Sequence, residues 1–192
     1  MDEKLQSFQF NQNEALSFSQ TRRRLAWSFA RVFDHSYVKS VCQALHQQRR
    51  QPGIEFLGDG AHSMTYRLFT GKPMDLAISL AKPGFFSCLS RGTHSWPMLM
   101  DQLSRLDHPL IPPFAIIHQS SEWLAFIRPY CPQTVDELPP EIQQNLEGLK
   151  KSLIDVLHDK GLMIDDYLQI RAWKQHPFVI DWSDLVLKRR SA

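Results

Sequence analysis

Between residues 54 and 81 the sequence runs through three short alternating segments separated by turn residues. This limits what the chain can fold into more than any other stretch. Residues 54–57 are mostly apolar, and Gly58-Asp59-Gly60 follows as a turn. Residues 64–69 alternate, Gly71-Lys72-Pro73 turns again, and residues 75–81 form a third apolar segment. A period of two bounded by Gly, Pro and Asp marks strands joined by tight turns. Three such strands in succession predict an antiparallel meander. Two further apolar segments, 114–117 and 123–127, flank Ser120-Ser121 and bring the expected sheet to five strands.

The remaining pattern is helical. Residues 21–51 contain neither Gly nor Pro. Ala26, Phe29, Ala30, Phe33, Tyr37, Val41 and Leu45 recur there at helical spacing, opposite Arg24, Arg31, His35 and Lys39. This predicts one long helix, or two with a break near 34–36, packed by its apolar face and stopped by Pro52-Gly53. Residues 1–20 are polar with scattered Phe8, Phe10 and Phe18, and read as a loose arm or as a segment laid on the domain. Leu99, Leu103 and Leu106 predict a helix before His108-Pro109. The clearest helix is 141–160, with Ile142, Leu146, Leu149, Leu153 and Val156 as its buried stripe. Pro139-Pro140 opens it and Gly161 closes it.

With 192 residues, 43% hydrophobic and 22% charged, the chain is long enough for one core or slightly more and reads as an ordinary globular protein. A net charge of +2 gives no electrostatic argument for nucleic acid as a partner. Cys42, Cys88 and Cys131 are odd in number and lack ligand spacing, which fits reduced thiols in a cytoplasmic, reducing compartment. Zinc on His158, His176 and the cysteines is discounted for the same lack of spacing. The acidic Met1-Asp2-Glu3 start is unlike a secretory signal, and no apolar run approaches a transmembrane segment.

Chemistry concentrates in residues 156–185. A helical run ends in Leu157-His158-Asp159-Lys160-Gly161, and the adjacent acids Asp165 and Asp166 follow. The apolar Phe178-Val179-Ile180 then closes on Asp181. Carboxylates after a helix and at the end of a strand can converge on one site. They would supply hard oxygen ligands and a proton acceptor for work on a phosphate and a metal ion.

This stretch resembles the catalytic centre of the protein-kinase-like superfamily. Leu157, His158 and Gly161 match its lead-in, Ile164-Asp165-Asp166 stand at His-Arg-Asp, and Asp181-Trp182-Ser183 stand at Asp-Phe-Gly. Residues 57–66 resemble the glycine-rich loop, with Gly58, Gly60 and Ser63 at its three glycine positions. Residues 99–111 resemble the C-helix and its exit, and 128–132 match the hinge by position. The resemblance implies an α+β fold with an N-terminal helical extension (1–52), a five-stranded antiparallel lobe with its C-helix (53–131) and a reduced helical lobe (132–192). It also implies ATP and magnesium as cofactors, Asp166 as catalytic base and Asp181 as metal ligand. The departures are specific. Ser79 stands where the family has its strand lysine, Leu99 where it has the helix glutamate, and Arg171 where it has a metal-binding asparagine. Loss of both members of an ion pair is physically coherent, because neither leaves a lone buried charge. Lys82 lies three residues past Ser79, on the opposite strand face unless a bulge restores the phase. Lys82 and Arg171 are the candidate replacement cations, with Lys72, in its turn, behind them.

Three functional expectations follow. The first is a pseudokinase-type nucleotide-binding module of doubtful catalytic competence, acting through a protein partner. The second is an active minimal ATP-dependent phosphotransferase that modifies a small-molecule, sugar, lipid or protein hydroxyl. The third is an adaptor that meets a membrane or an acidic partner through the basic N-terminal helix.

Overall fold

The computed structural model describes residues 15–82, 96–119, 123–164 and 168–187. It is a mixed α+β structure. Among these residues are four α-helices, a five-stranded antiparallel sheet and two small two-stranded sheets. The expected helix start at residue 21 is corrected: helix α1 spans Ala15–Val32. No Gly or Pro interrupts that segment, and extending a nucleated helix costs little. The break falls at residues 33–34. Asp34 caps helix α2 (His35–His46) by accepting a hydrogen bond from the Tyr37 amide at 2.9 Å.

The break also resets the phase of the apolar face. Ala26, Ala30 and Tyr37, expected to face inward, are exposed. Phe29, Val41 and Leu45 are buried as expected, and Leu25 of α1 and Val38 and Cys42 of α2 join them. A single helical wheel drawn across residues 33–34 is therefore right for Phe29, Val41 and Leu45 and wrong for Ala26, Ala30 and Tyr37. The stop at Pro52 is corrected as well. Helix α2 ends earlier, where Gln48 takes φ +56°, its amide bonds Leu45 O, and the Arg49 amide bonds Ala44 O. This pair of bonds is a Schellman cap, here with glutamine in the left-handed position where glycine is usual.

The large sheet has the order β1-β2-β3-β5-β4: β1 Ile54–Asp59, β2 Ser63–Leu68, β3 Leu76–Ala81, β4 Ala115–Gln119, β5 Trp123–Pro129. Its registers place Thr65 opposite Ser79 and Ser79 opposite Phe126, so these three lie on one face together with Ser63, Ala81, Leu124 and Arg128. The alternate residues Met64, Tyr66, Leu68, Leu76, Ile78, Leu80, Trp123, Ala125 and Ile127 form the other face. They pack with α1 and α2 into one apolar core.

A second core covers the first face. It joins helix α3 (Trp96–Ser104) and helix α4 (Pro140–Asp159) to Leu162, Leu168, Ile170, Val179, Trp182 and Leu185. Helix α4 follows its expectation closely: Leu146 and Leu153 are buried with Leu157, Leu149 and Val156 pack beside them, and Gly161 takes φ +70° after its end. His158 is exposed at the helix end. Beyond α4, strand β6 (Leu162–Ile164) pairs with β9 (Leu185–Leu187), and β7 (Ile170–Trp173) pairs with β8 (His176–Val179). None of the helices described is long and apolar enough to cross a membrane.

Candidate functional site

A cleft of about 340 Å³ opens between the first face of the sheet and the segment that carries β7, β8 and Asp181. That volume lies in the lower part of the range for small-ligand sites. Ser63, Thr65 and Ser79 give the ceiling a row of hydroxyls, and Phe126 and Trp96 form an apolar back wall, edge to face at 6.0 Å. Tyr130, Cys131 and Pro132 make one rim. Gln169, Arg171, Ile180, Asp181 and Ser183 make the floor.

Each floor residue is held by a local device. The β7–β8 hairpin turns at Lys174 and Gln175, both at positive φ, and is tied to the rim by the paired backbones of Gln133 and Ala172. Asp181 is exposed and accepts a hydrogen bond from the Ser183 amide at 2.9 Å, an Asx turn that fixes its carboxylate. Trp182 is buried behind it. Its Nε1 donates to Val179 O, and its carbonyl accepts from Trp96 Nε1 at 2.8 Å, which ties the floor to α3.

Of the residues singled out from sequence, Ser63, Arg171 and Asp181 line this cleft. Gly58 and Gly60 sit at the neighbouring turn, where the Gly60 amide bonds Ser63 O at 2.9 Å, but neither lines the cleft. Neither has a positive φ, and a Cβ at Gly58 would meet nothing within 4 Å, so the fold itself does not demand glycine at Gly58. Lys82 points elsewhere: its ammonium pairs with Asp59 at 2.6 Å, beside the same turn. The ladder between β2 and β3 is regular through Ala81, and the sheet's register shift falls on β1 between Phe56 and Gly58. No bulge therefore brings Lys82 round to the cleft. Ser79 is within 3.4 Å of the Thr65 hydroxyl, and Leu99 is only 5% exposed inside the core. Asp166, with Asp165, lies outside the described residues. Among the described residues no group of three or more His, Cys, Asp or Glu side chains is placed to hold a metal ion.

Two site residues escaped the sequence reading. Arg128, read as part of a linker, is the last inward-facing residue of β5 and only 6% exposed. Its Nε donates to Ile180 O at 3.1 Å and its Nη1 to Pro129 O at 3.2 Å. Burial lowers its pKa, against the raising influence of Cys131 and Asp181. The signal was present in the phase of Leu124-x-Phe126-x-Arg128. Trp96 had no such signal, because one aromatic at a helix start does not show what it faces. Cys131 is buried at the rim with its thiol pushed up to about 11 by desolvation, so it stays protonated and is a poor nucleophile.

No protein-family model matches the chain, and no curated protein matches it in sequence.

Proposed function

We propose that this chain is a divergent kinase-like nucleotide-binding protein that acts as a binding or regulatory module. One observation carries the reading. Ser63, Ser79, the rim at 130–132, Arg171 and Asp181 come from four distant parts of the sequence, are grouped by the family resemblance, and line one cleft. The cleft has the size and the aromatic wall for a base, and Gly58, paired with the cleft-lining Thr65, has nothing within 4 Å of where a Cβ would stand, so a phosphate can approach its backbone. Asp181 is the only carboxylate among the described lining residues. It would hold magnesium with the phosphates as co-ligands, the usual way this ion is bound.

The same residues argue against efficient phosphoryl transfer. That reaction depends on fixed charges that neutralise the phosphates as they react. Ser79 and Leu99 supply none, and Lys82 is engaged by Asp59. Each missing charge-assisted contact is worth about 1.5–3 kcal/mol, so several together slow turnover by orders of magnitude. Thermal unfolding with nucleoside triphosphates and Mg²⁺ or Mn²⁺ tests the reading. A ligand at 100 times its Kd adds about 2.7 kcal/mol of stability. The metal-dependent part of the shift should vanish in Asp181→Asn. No shift with any nucleotide would remove this proposal.

A second reading, an adaptor for a membrane or an acidic partner, is favoured by Trp27 on α1. This side chain is 60% exposed and has Arg31 4.0 Å from its ring centre. It predicts salt-sensitive binding to anionic vesicles that is lost in the double variant Arg24→Gln, Arg31→Gln.

A further inference from the structure

The apolar face of the sheet is not covered along its whole width. Register puts Ile54 and Phe56 of β1 beside Leu68 and Tyr66 of β2, on the side that α1 and α2 seal over Leu68, Leu76 and Ile78. Helix α2 ends at His46, and residues 48–51 run on along the border of a groove of about 540 Å³. That volume suits a small ligand. Leu45, Ile54, Phe56, Met64, Tyr66 and Leu80 make its apolar floor. Phe56 is 57% exposed, with its ring centre 5.4 Å from that of Tyr66. An exposed aromatic floor beside a sealed core marks a surface that meets something else.

The border of the groove is cationic. His46, Arg49 and Arg50 line it, and among the described residues no Asp or Glu does. The two acids of β1 are engaged elsewhere: Glu55 pairs with Arg67 at 3.5 Å and Asp59 with Lys82 at 2.6 Å. Neither Arg49 nor Arg50 forms an ion pair among the described residues. Two guanidinium groups beside a hydrocarbon floor, with no carboxylate to neutralise them, complement a ligand with an apolar body and an anionic head.

We propose that this groove binds a single-chain anionic amphiphile, a long-chain carboxylate, with its hydrocarbon on the floor and its head at Arg49 and Arg50. The proposal is independent of the nucleotide reading, which concerns the opposite face of the sheet. The floor supplies burial in proportion to apolar area, and the arginine forks match a carboxylate. The floor's hydroxyl, on Tyr66, donates to Met64 Sδ at 3.6 Å. A peptide would lay backbone amides and carbonyls against Phe56, Met64 and Leu80, which offer them no partners, and a hydrocarbon chain avoids that cost.

The test is calorimetric titration of the full chain with decanoate, dodecanoate and tetradecanoate, each kept monomeric, beside dodecanol and dodecyltrimethylammonium. The expected result is one site per chain, with affinity rising about twofold to fourfold for each CH₂ added and a negative heat-capacity change. Dodecanoate should bind about tenfold more tightly than the neutral or the cationic chain. The double variant Arg49→Gln, Arg50→Gln should erase that preference and keep the dependence on chain length, and Phe56→Ser should flatten the dependence. Both arginines are exposed, and the bond from Arg49 to Ala44 O uses its backbone amide, so the double variant keeps the cap of α2. No binding by any carboxylate overturns the inference, as does equal binding of the three dodecyl compounds or affinity that ignores chain length. Binding unchanged in both variants places the ligand elsewhere and also overturns it. If phosphatidylserine vesicles bind through Arg49 and Arg50 and monomeric chains do not, the surface meets a membrane instead. If only an acidic aromatic peptide binds there, it meets a protein. Either result removes the inference.

Discussion

The two faces of the five-stranded sheet are made by the same strands and have opposite chemistry. On the side of α1 and α2, Leu68, Leu76, Ile78, Leu80, Trp123, Ala125 and Ile127 are all buried and all apolar. On the other side, Ser63, Thr65, Ser79 and Arg128 alternate with them along β2, β3 and β5 and line the cleft. A fold that needed only stability would make the second face resemble the first. Hydroxyls and a buried cation contribute less to stability than the same volume of hydrocarbon and carry a desolvation cost. The proposed function gives that asymmetry a reason, since it assigns a nucleotide to this face and none to the other.

The sharpest way to break this contrast uses neighbours in sequence. Ile78→Ala removes a fully buried side chain from the apolar face and should cost about 2–5 kcal/mol in denaturant unfolding. Ser79→Ala, one residue on, gives up a weak 3.4 Å contact with Thr65 and should cost less than about 1 kcal/mol. Equal losses would mean that the cleft face is as structural as the other, and the functional contrast would fall.

The next effect tests what holds the cleft together. Trp96→Phe keeps the ring contact with Phe126 but loses the donor to Trp182 O. A buried carbonyl left without its donor costs about 1–3 kcal/mol, read as a lowered unfolding midpoint. If the nucleotide-induced shift falls by more than the loss of stability predicts, α3 positions the floor as well as supporting it.

The sheet was legible because its signal is local. Glycine turns and alternation placed β1, β2 and β3 to within about two residues, and Pro139-Pro140 and Gly161 bracketed α4 correctly. The N-terminal helices were legible only in part. Periodicity located them, but the break at residues 33–34 reset the phase, so Ala26, Ala30 and Tyr37 were assigned to the wrong side. Of the site residues taken from motif order, Ser63, Arg171 and Asp181 line the cleft, whereas Gly58, Gly60 and Lys82 do not. Arg128 was missed for a physical reason. A charge at a strand end reads as solvated, and only the register with Ala77 and the cover from Ile180 show it buried.

A smaller effect separates the β7–β8 hairpin from the rest by pH. Burial lowers the pKa of His176 from its ordinary value of 6.5. The unfolded chain therefore binds a proton that the folded chain resists, and stability falls as pH drops below about 6.5. His176→Phe should flatten the stability profile between about pH 5 and 6.5 relative to the unaltered chain, measured by urea midpoints across that range. Identical slopes would mean that the imidazole is solvated and that the hairpin packs less tightly than its floor role requires.

The smallest expected effect lies in the backbone and applies to both sides of the comparison. Gln48, at φ +56°, caps α2 on the apolar side, and Gln175, at φ +67°, turns the hairpin on the cleft side. A left-handed residue other than glycine carries a steric penalty that glycine relieves, partly offset by the larger entropy of the glycine-containing unfolded chain. Gln48→Gly should raise stability by about 0.5–1 kcal/mol, because its two cap bonds are backbone bonds that any residue can make. Gln175→Gly should gain a similar amount, since the bond it makes to Gln133 Oε1 also uses only its backbone amide. A gain at Gln48 with no gain at Gln175 would show that the Gln175 side chain makes a favourable contact near the rim. The glutamine there would then belong to the cleft rather than to the turn.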